Sequence, residues 1–487
     1  MFRPLPTRVI DVGPTCGSQE PFLCLPKGKT GKYITLSHCW GPMPHFTTTS
    51  SSLADRVQGI RLAELPKTFR DAVIITRTLG VRYLWIDSLC IIQDDVKDWE
   101  TESKNMAEVF QNSLLTIAAS ASPDSRTGCF LQRESGRALK VQHGKCTFYL
   151  QCINRNWSLP SPAGGPLQSR AWVLQEMLLS RRILFFSKDQ LFWECHSMSL
   201  SEEGSSRAFD FEVGFPTMKQ SLLKLEYWAP DTSKIAHSSP KENAILQFWL
   251  DLVQDYSIRY LTKERDIFAA LAGLAEFVRN RSGDEFIAGM WKNTLHTELL
   301  WVARSKYRTS PSAWRAPSWS WAALKGEIYY SDDQWRIMEP SAEFRHTETV
   351  WAGTPLSSML VSGKLVVSGL IESVAYIDDP IPQGCGMVPK YSLVKRDARS
   401  KEQYPYMSSW CIFDRGPPPS DREIWCLCIA IERRQKWFKR LNLGDRYWVL
   451  LLTSTNTENG EYCRIGAGMI EAMPGTFGPD KVIVTIV

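Results

Sequence analysis

The chain has 487 residues, of which 44% are hydrophobic and 22% are charged. This composition excludes a disordered or collagen-like chain, and the length predicts roughly two or three folded domains. Lys and Arg number 57 and Asp and Glu 52, a net charge of +5 that is spread along the chain without a basic block, so we expect no nucleic-acid or membrane partner.

Targeting signals and cysteine usage indicate the cellular compartment. Residues 1–11 lack the apolar segment of a secretory signal, and no apolar run approaches the roughly 20 residues of a membrane-spanning helix. The 13 cysteines are an odd number with irregular spacing and form no CxxC pair. We therefore expect a cytoplasmic protein with reduced thiols and no metal site.

The first part of the chain alternates strand-like and helix-like segments. The predicted strands are residues 33–36, 81–86, 114–119 and 183–186, and the predicted helices are residues 66–79, 99–110 and 172–179. Such alternation is typical of an α/β domain with a parallel sheet, which we place at residues 1–200. Ligands of such sheets bind beyond the carboxyl ends of the strands.

The remainder of the chain has a different pattern. Polar residues 201–206 are typical of a linker, and residues 241–305 repeat apolar positions at helical spacing. Strand-like alternation then occurs at residues 364–376, 424–431, 447–453, 464–470 and 482–487. The sequence predicts a helical segment over residues 201–330 and a β-rich domain, either an antiparallel sheet or a barrel, over residues 331–487.

Polar side chains stand directly after the first two predicted strands. His38 and Asp87 are the candidates for acid and base there. A purely structural interpretation also fits, in which Asp87 caps a loop and Trp40 packs in the core. The candidate substrate-binding residues at the same two strand ends are Ser37, Cys39, Trp40, Gly41, Ser88 and Cys90.

A third candidate segment is the predicted helix at residues 172–179. Trp172 and Glu176 are four residues apart and therefore share one helical face. A carboxylate beside an indole can bind a sugar hydroxyl and stabilise a developing positive charge with little competition from water. Surface helices supply this W-x-x-x-E spacing by chance, so it indicates chemistry only in context.

Longer motifs supply that context. Four of them occur in order at residues 33–41 (YITLSHCWG), 65–72 (LPKTFRDA), 83–93 (YLWIDSLCIIQ) and 169–176 (SRAWVLQE), and three more follow at residues 256–262, 288–291 and 316–322. The first four resemble the successive motifs of the heterokaryon-incompatibility (HET) domain of fungi, and the other three resemble the extension that often follows it, with coverage of about residues 8–325. At His38 that family more often has Tyr.

The resemblance implies a fungal protein that acts in regulated cell death after non-self recognition. It also implies a TIR/flavodoxin-like parallel sheet, because the family is similar in topology to TIR domains. Some TIR domains hydrolyse NAD through the glutamate of a W-x-x-x-E motif, which Trp172 and Glu176 match. NAD would then be a substrate and not a cofactor.

In that hypothesis each candidate has a role. Glu176 would hold the ribose hydroxyls, residues 37–41 would contact diphosphate or base, and Trp172 or Trp40 would stack. Arg170, in the last motif, counts among the substrate-binding residues. We expect the strand ends that carry Ser37 and Asp87 to lie within contact range of Glu176.

Two other functions remain open. His38, Asp87 and Cys90 are suited to base, orienter and nucleophile, or His38 and Asp87 alone to acid and base, in a biosynthetic enzyme for a small organic substrate. His38 in place of the usual Tyr favours this biosynthetic function. The third function is a non-enzymatic module that signals by self-association, with a homo-oligomer or an incompatibility partner protein as its assembly.

Overall fold

A computed structural model describes most of the chain: residues 3–42, 45–132, 138–144, 146–151, 165–202, 206–208, 218–227, 240–331, 338–356, 358–381, 387–396, 403–406, 408–419, 422–433, 444–455, 460–473 and 475–487. By compactness the chain divides into two units. The first is residues 1–230 with 271–274, and the second is residues 231–270 with 275–487. The three-part division at residues 200 and 330 stays a prediction.

The first unit combines a large sheet with helices. Its helices are α1 Leu53–Gln58, α2 Lys67–Thr78, α3 Asp87–Cys90, α4 Val96–Asn112, α5 Ala171–Leu179 and α6 Met218–Tyr227. Its strands are β1 Arg3–Pro4, β2 Val9–Asp11, β3 Phe22–Cys24, β4 Thr30–Gly31, β5 Tyr33–Ser37, β6 Tyr83–Ile86, β7 Leu115–Ala118, β8 Ala138–His143, β9 Cys146–Gln151, β10 Arg182–Phe186, β11 Leu191–Cys195, β12 Met198–Ser201 and β13 Ser206–Ala208.

Nine strands form one mixed sheet in the order β13-β12-β11-β10-β7-β5-β6-β2-β3. The four central strands β10, β7, β5 and β6 are mutually parallel, and the flanking strands pair antiparallel. All residues of β5 and β7 are buried, which accounts for their continuous β-prone sequences. Numbered along the chain, the parallel strands have the spatial order 2-1-3-4. The predicted α/β domain is thus confirmed, although its sheet is mixed and not wholly parallel.

The helices of this unit begin and end close to the predicted residues. In α2 the buried side chains include Phe69 and Val73, and Gly80 follows the helix with a φ of +67°, a conformation that favours glycine. In α4 the Asp95 side chain accepts hydrogen bonds from two backbone N–H groups of the first turn, so it is the N-cap. The predicted apolar positions Met106 and Phe110 are buried in the main core.

The stretch predicted as a linker begins and ends within the sheet. Ser201 is the last residue of β12 and Ser206 the first of β13, and these two strands pair antiparallel. Their polar residues extend the edge of the sheet. An edge strand pairs through its backbone on one side only and does not need apolar side chains on both faces, so its sequence resembles that of a loop.

The second unit carries the longer strands. Its helices are α7 Pro240–Ser257, α8 Ala272–Ser282, whose first residues belong to the first unit, and α9 Leu295–Glu298. Its strands are β14 Phe286–Ile287, β15 Met290–Trp291, β16 Val302–Ala303, β17 Ile328–Tyr329, β18 Glu339–Pro340, β19 Glu343–Trp351, β20 Leu360–Gly369, β21 Ile371–Ile381, β22 Lys390–Arg396, β23 Gln403–Pro405, β24 Ser408–Phe413, β25 Ile424–Glu432, β26 Asp445–Ser454, β27 Tyr462–Ala472 and β28 Val482–Ile486.

Six of these strands close into a barrel. The ring runs β25-β21-β22-β24-β27-β26 and returns to β25, and every neighbouring pair is antiparallel. Alternate residues, such as Cys426 with Cys428 and Val449 with Leu451, fill one apolar cluster. The predicted β-rich region is therefore confirmed. The run predicted at residues 364–376 is two strands, because β20 pairs with β28 whereas β21 pairs with β25.

Candidate functional site

The carboxyl ends of three parallel strands meet at one edge of the first sheet. Leu36 of β5 pairs with Ile86 of β6 on one side and with Ile117 of β7 on the other. The chain moves from β5 to β6 and then crosses to β7, so the strand order reverses beside β5. Side chains that follow these strands consequently lie around the crevice where ligands of such sheets bind.

Glu176 reaches the end of β5 from helix α5. The Ser37 hydroxyl donates a hydrogen bond to Glu176 Oε2, and both side chains are buried. Burial raises the pKa of Glu176 to about 7, and the negative charge of Asp87 acts in the same direction. Arg170 and the Ser37 hydrogen bond oppose this shift. Glu176 therefore changes its charge near neutral pH, which is typical of catalytic carboxyl groups.

Asp87 is oriented by its neighbours at the end of β6. Trp40 Nε1 donates to Asp87 Oδ2 at 2.9 Å, and the Ser88 N–H donates to Asp87 Oδ1 at 2.7 Å. His38 Nδ1 lies 3.7 Å from Asp87 Oδ1, beyond hydrogen-bond length. Trp40 is thus a direct neighbour of the carboxylate, whereas Trp172 packs edge-to-face on Trp99 of α4 with ring centroids 6.4 Å apart.

His38 is buried and neutral. Its ring meets Phe69 edge-on with centroids 4.9 Å apart, and burial lowers its pKa to about 4 although Asp87 raises it. Within the described part of the chain, neither ring nitrogen of His38 nor the buried Ser88 hydroxyl has a hydrogen-bond partner. Buried polar atoms without partners cost free energy, so a ligand or water that binds beside Asp87 would be stabilised by them.

Arg170 interacts with both His38 and Glu176. Its guanidinium donates to the His38 carbonyl oxygen, and its positive charge acts on Glu176. Arg170 is also the N-cap residue that directly precedes α5. The structure therefore brings together six of the predicted site residues, Ser37, His38, Trp40, Asp87, Arg170 and Glu176.

The two predicted cysteines have other surroundings. Cys90 lies in the main hydrophobic cluster, and desolvation raises its thiol pKa to about 12. Cys39 packs in a smaller cluster that includes Leu167 and Val173, and its pKa is also raised, chiefly by burial. A nucleophilic cysteine needs the thiolate form, which both environments disfavour.

Sequence reasoning missed Asp124. Gly41 has a φ of +77°, and a Cβ built on it would lie 2.2 Å from Asp124 Cβ. Asp124 Oδ1 accepts hydrogen bonds from the Thr127 hydroxyl and backbone N–H, which order the loop after β7 beside Gly41. Asp87 directly follows β6, but Asp124 lies several residues beyond the end of β7, so its distance from the strand concealed it in the sequence.

Gly41→Ala is expected to destabilise the first unit by about 2–4 kcal/mol, because both the left-handed backbone and the Asp124 contact resist a Cβ. Gly80→Ala is the matched control, since Gly80 has a φ of +67° but nothing within 4 Å of the added atom. We expect about 1 kcal/mol there. Chemical denaturation of the two variants measures the difference, and equal losses would contradict the proposed Asp124 contact.

Glu176→Gln is expected to stabilise the protein at high pH. The folded pKa of about 7 lies above the ordinary 4.5, so Glu176 contributes full stability below 4.5 and loses it as the pH rises to 7. Gln has no charge to desolvate, and the variant should gain about 3 kcal/mol at pH 8 relative to pH 4. The exposed Glu100→Gln is the control. A gain that is independent of pH would refute this prediction.

Among the residues that the structure describes, no group of three or more His, Cys, Asp or Glu side chains is arranged to hold a metal ion. No helix in the same residues is long and apolar enough to cross a membrane.

Residues 33–176 match the model of a protein family described as heterokaryon incompatibility protein (HET). This span begins at the first residue of β5 and ends at Glu176, so it contains every predicted site residue. No curated protein and no solved structure gave a significant match. The recognition of the family from its motifs is thus confirmed for this span.

Proposed function

We propose that this chain, whose residues 33–176 match the heterokaryon incompatibility (HET) family model, is a heterokaryon-incompatibility-type protein that hydrolyses NAD to nicotinamide and ADP-ribose with Glu176 as catalytic carboxylate. The observation that carries this proposal is the position of Glu176. It is buried, receives the Ser37 hydrogen bond, and lies where the strand order reverses. The spatial order 2-1-3-4 supports a TIR/flavodoxin-like topology for these strands as part of the proposal.

The chemistry needs little more than this carboxylate. Nicotinamide leaves as a neutral molecule from a cationic linkage, taking the electron pair of the glycosidic C–N bond, so no acid is required on the leaving group. The ribose becomes an oxocarbenium-like cation, which a desolvated carboxylate stabilises more strongly than water does. Water then adds to the anomeric carbon and releases a proton.

The neighbouring side chains divide the remaining tasks. Asp87, fixed by Trp40 and Ser88, accepts the proton of the attacking water. Trp40 offers an indole for stacking at the same place, and the loop of residues 37–41 contacts the diphosphate. Arg170 acts as a positioning residue, because its bond to the His38 carbonyl holds that loop.

The test uses the full chain and NAD. Purified protein is incubated with NAD and the products are separated by chromatography, with nicotinamide and ADP-ribose expected in equal amounts. The assay is repeated at high protein concentration, because assembly into a homo-oligomer is part of the hypothesis. No product in either assay would contradict the proposed reaction.

A specific observation favours a second candidate function. His38 has two unpartnered ring nitrogens among the described residues and lies 3.7 Å from Asp87, so the two side chains are placed for acid and base work on a small organic substrate. In that case His38→Ala would abolish turnover and Glu176→Gln would leave it largely intact. The reverse pattern would exclude this function.

A further inference from the structure

The second unit contains a cavity of about 470 Å³, separate from the cluster around Glu176. It lies beside the barrel. One side is lined by residues 453–455 at the end of β26 and residues 463–465 at the start of β27, and the other side by the loop that follows β24. A cavity of this size accommodates a small organic molecule.

Part of its lining is a rigid charged pair. The Arg464 side chain is fully buried, its Nε is 3.0 Å from Asp414 Oδ2, and its guanidinium lies 3.5 Å from the centre of the Trp301 ring. Two further N–H groups of Arg464 donate to the carbonyl oxygens of Leu299 and Trp301. Asp414 therefore compensates the charge of Arg464, and these bonds fix the guanidinium in place.

The described lining as a whole carries an excess of positive charge. Three arginines and one aspartate line the described part of the cavity. Arg415 and Arg422 are exposed at its rim, and Arg415 uses one N–H on the Ala323 carbonyl oxygen. Apolar groups of Trp301 and Ile465 lie in the same wall. The cavity thus combines cationic donors with an apolar, partly aromatic surface.

We propose that this cavity binds a small anion that carries a flat apolar group, such as an aromatic carboxylate, sulfonate or phosphate. The rim arginines pair with the anionic group, because guanidinium N–H groups match carboxylate and phosphate oxygens. The apolar body enters beside Trp301. This site is independent of the proposed NAD hydrolysis.

Two naphthalene probes test the charge requirement. 8-Anilinonaphthalene-1-sulfonate is anionic, and N-phenyl-1-naphthylamine has the same rings without the sulfonate. Fluorescence titration of the full chain should show at least 10-fold tighter binding of the anion. Arg415→Gln and Arg422→Gln should each weaken the anion 3- to 10-fold and change the neutral probe less than 2-fold. The control is Arg345→Gln, an exposed arginine on β19 that does not line the cavity.

Cys463 reports where the probe binds. It lines the cavity, and its partly buried thiol can be alkylated by iodoacetamide and located by peptide mass spectrometry. A saturating concentration of the sulfonate should slow this modification at least 5-fold and leave the exposed Cys16 unaffected. Equal affinities for the two probes, unchanged binding in both rim variants, or an unprotected Cys463 would each overturn the proposal.

Discussion

Glu176→Gln is expected to lower the rate of the proposed NAD hydrolysis by roughly 10²- to 10³-fold. Glutamine keeps the size of the side chain and an acceptor for the Ser37 hydroxyl, but it removes the negative charge that stabilises the ribosyl cation. That charge matters most in the transition state, so kcat should fall far more than KM rises. Nicotinamide release is measured by chromatography under saturating NAD.

Two matched variants make this result specific. Ser37→Ala removes only the hydrogen bond to Glu176 and should cost about 10-fold, because the carboxylate remains but is less well oriented. Glu100→Gln changes an exposed carboxyl on α4 and should leave the rate unchanged. Equal rates for wild type and Glu176→Gln would contradict the assigned role and favour the chemistry of His38 and Asp87.

The pH dependence follows from the same group. The charged form of Glu176 is required, and burial raises its pKa to about 7, so kcat/KM should increase with pH up to and slightly beyond neutrality. The residual activity of Glu176→Gln should lack this rise. A wild-type profile that is flat between pH 5 and 8 would show that another group limits the reaction.

Asp414→Ala is expected to reduce the free energy of unfolding of the second unit by about 3–5 kcal/mol. Burial raises the pKa of Asp414 and lowers that of Arg464, so both charged forms are costly and each offsets the cost of the other. Removal of the carboxylate leaves a fully buried guanidinium without its counter-charge. Denaturant unfolding of the full chain measures the loss.

The exposed pair of Glu343 with Arg345 is the control for this prediction. Glu343→Ala should cost far less than Asp414→Ala, because water screens exposed ion pairs. Replacement of both buried partners, Asp414→Leu with Arg464→Met, should recover much of the stability lost in Asp414→Ala. A loss below 1 kcal/mol for Asp414→Ala would show that the buried guanidinium does not depend on Asp414.

The strands of both units were predictable because their patterns are local. Buried parallel strands such as β5 and β7 consist mostly of β-branched, aromatic and other apolar residues, and barrel strands such as β25 and β26 contain long apolar runs. The edge strand β13 and its neighbour β12 were not predictable, since β13 pairs on one side only and both strands are short and rich in polar residues. The barrel closes because β26 pairs with both β25 and β27. This closure was not predictable either, because it is a property of the assembled sheet.

The sequence by itself determined which residues stand at the strand ends, and therefore that Ser37, His38 and Asp87 are candidates, because the beginning and end of a strand are encoded by nearby residues. Only the tertiary structure decided the burial and the hydrogen-bond partners of each candidate side chain. It brought Glu176 onto Ser37 across 139 positions, left the ring nitrogens of His38 without partners in the described residues, and enclosed Cys90 in the core. Burial and charge at a site depend on contacts between distant segments, and these contacts set pKa values and orientation.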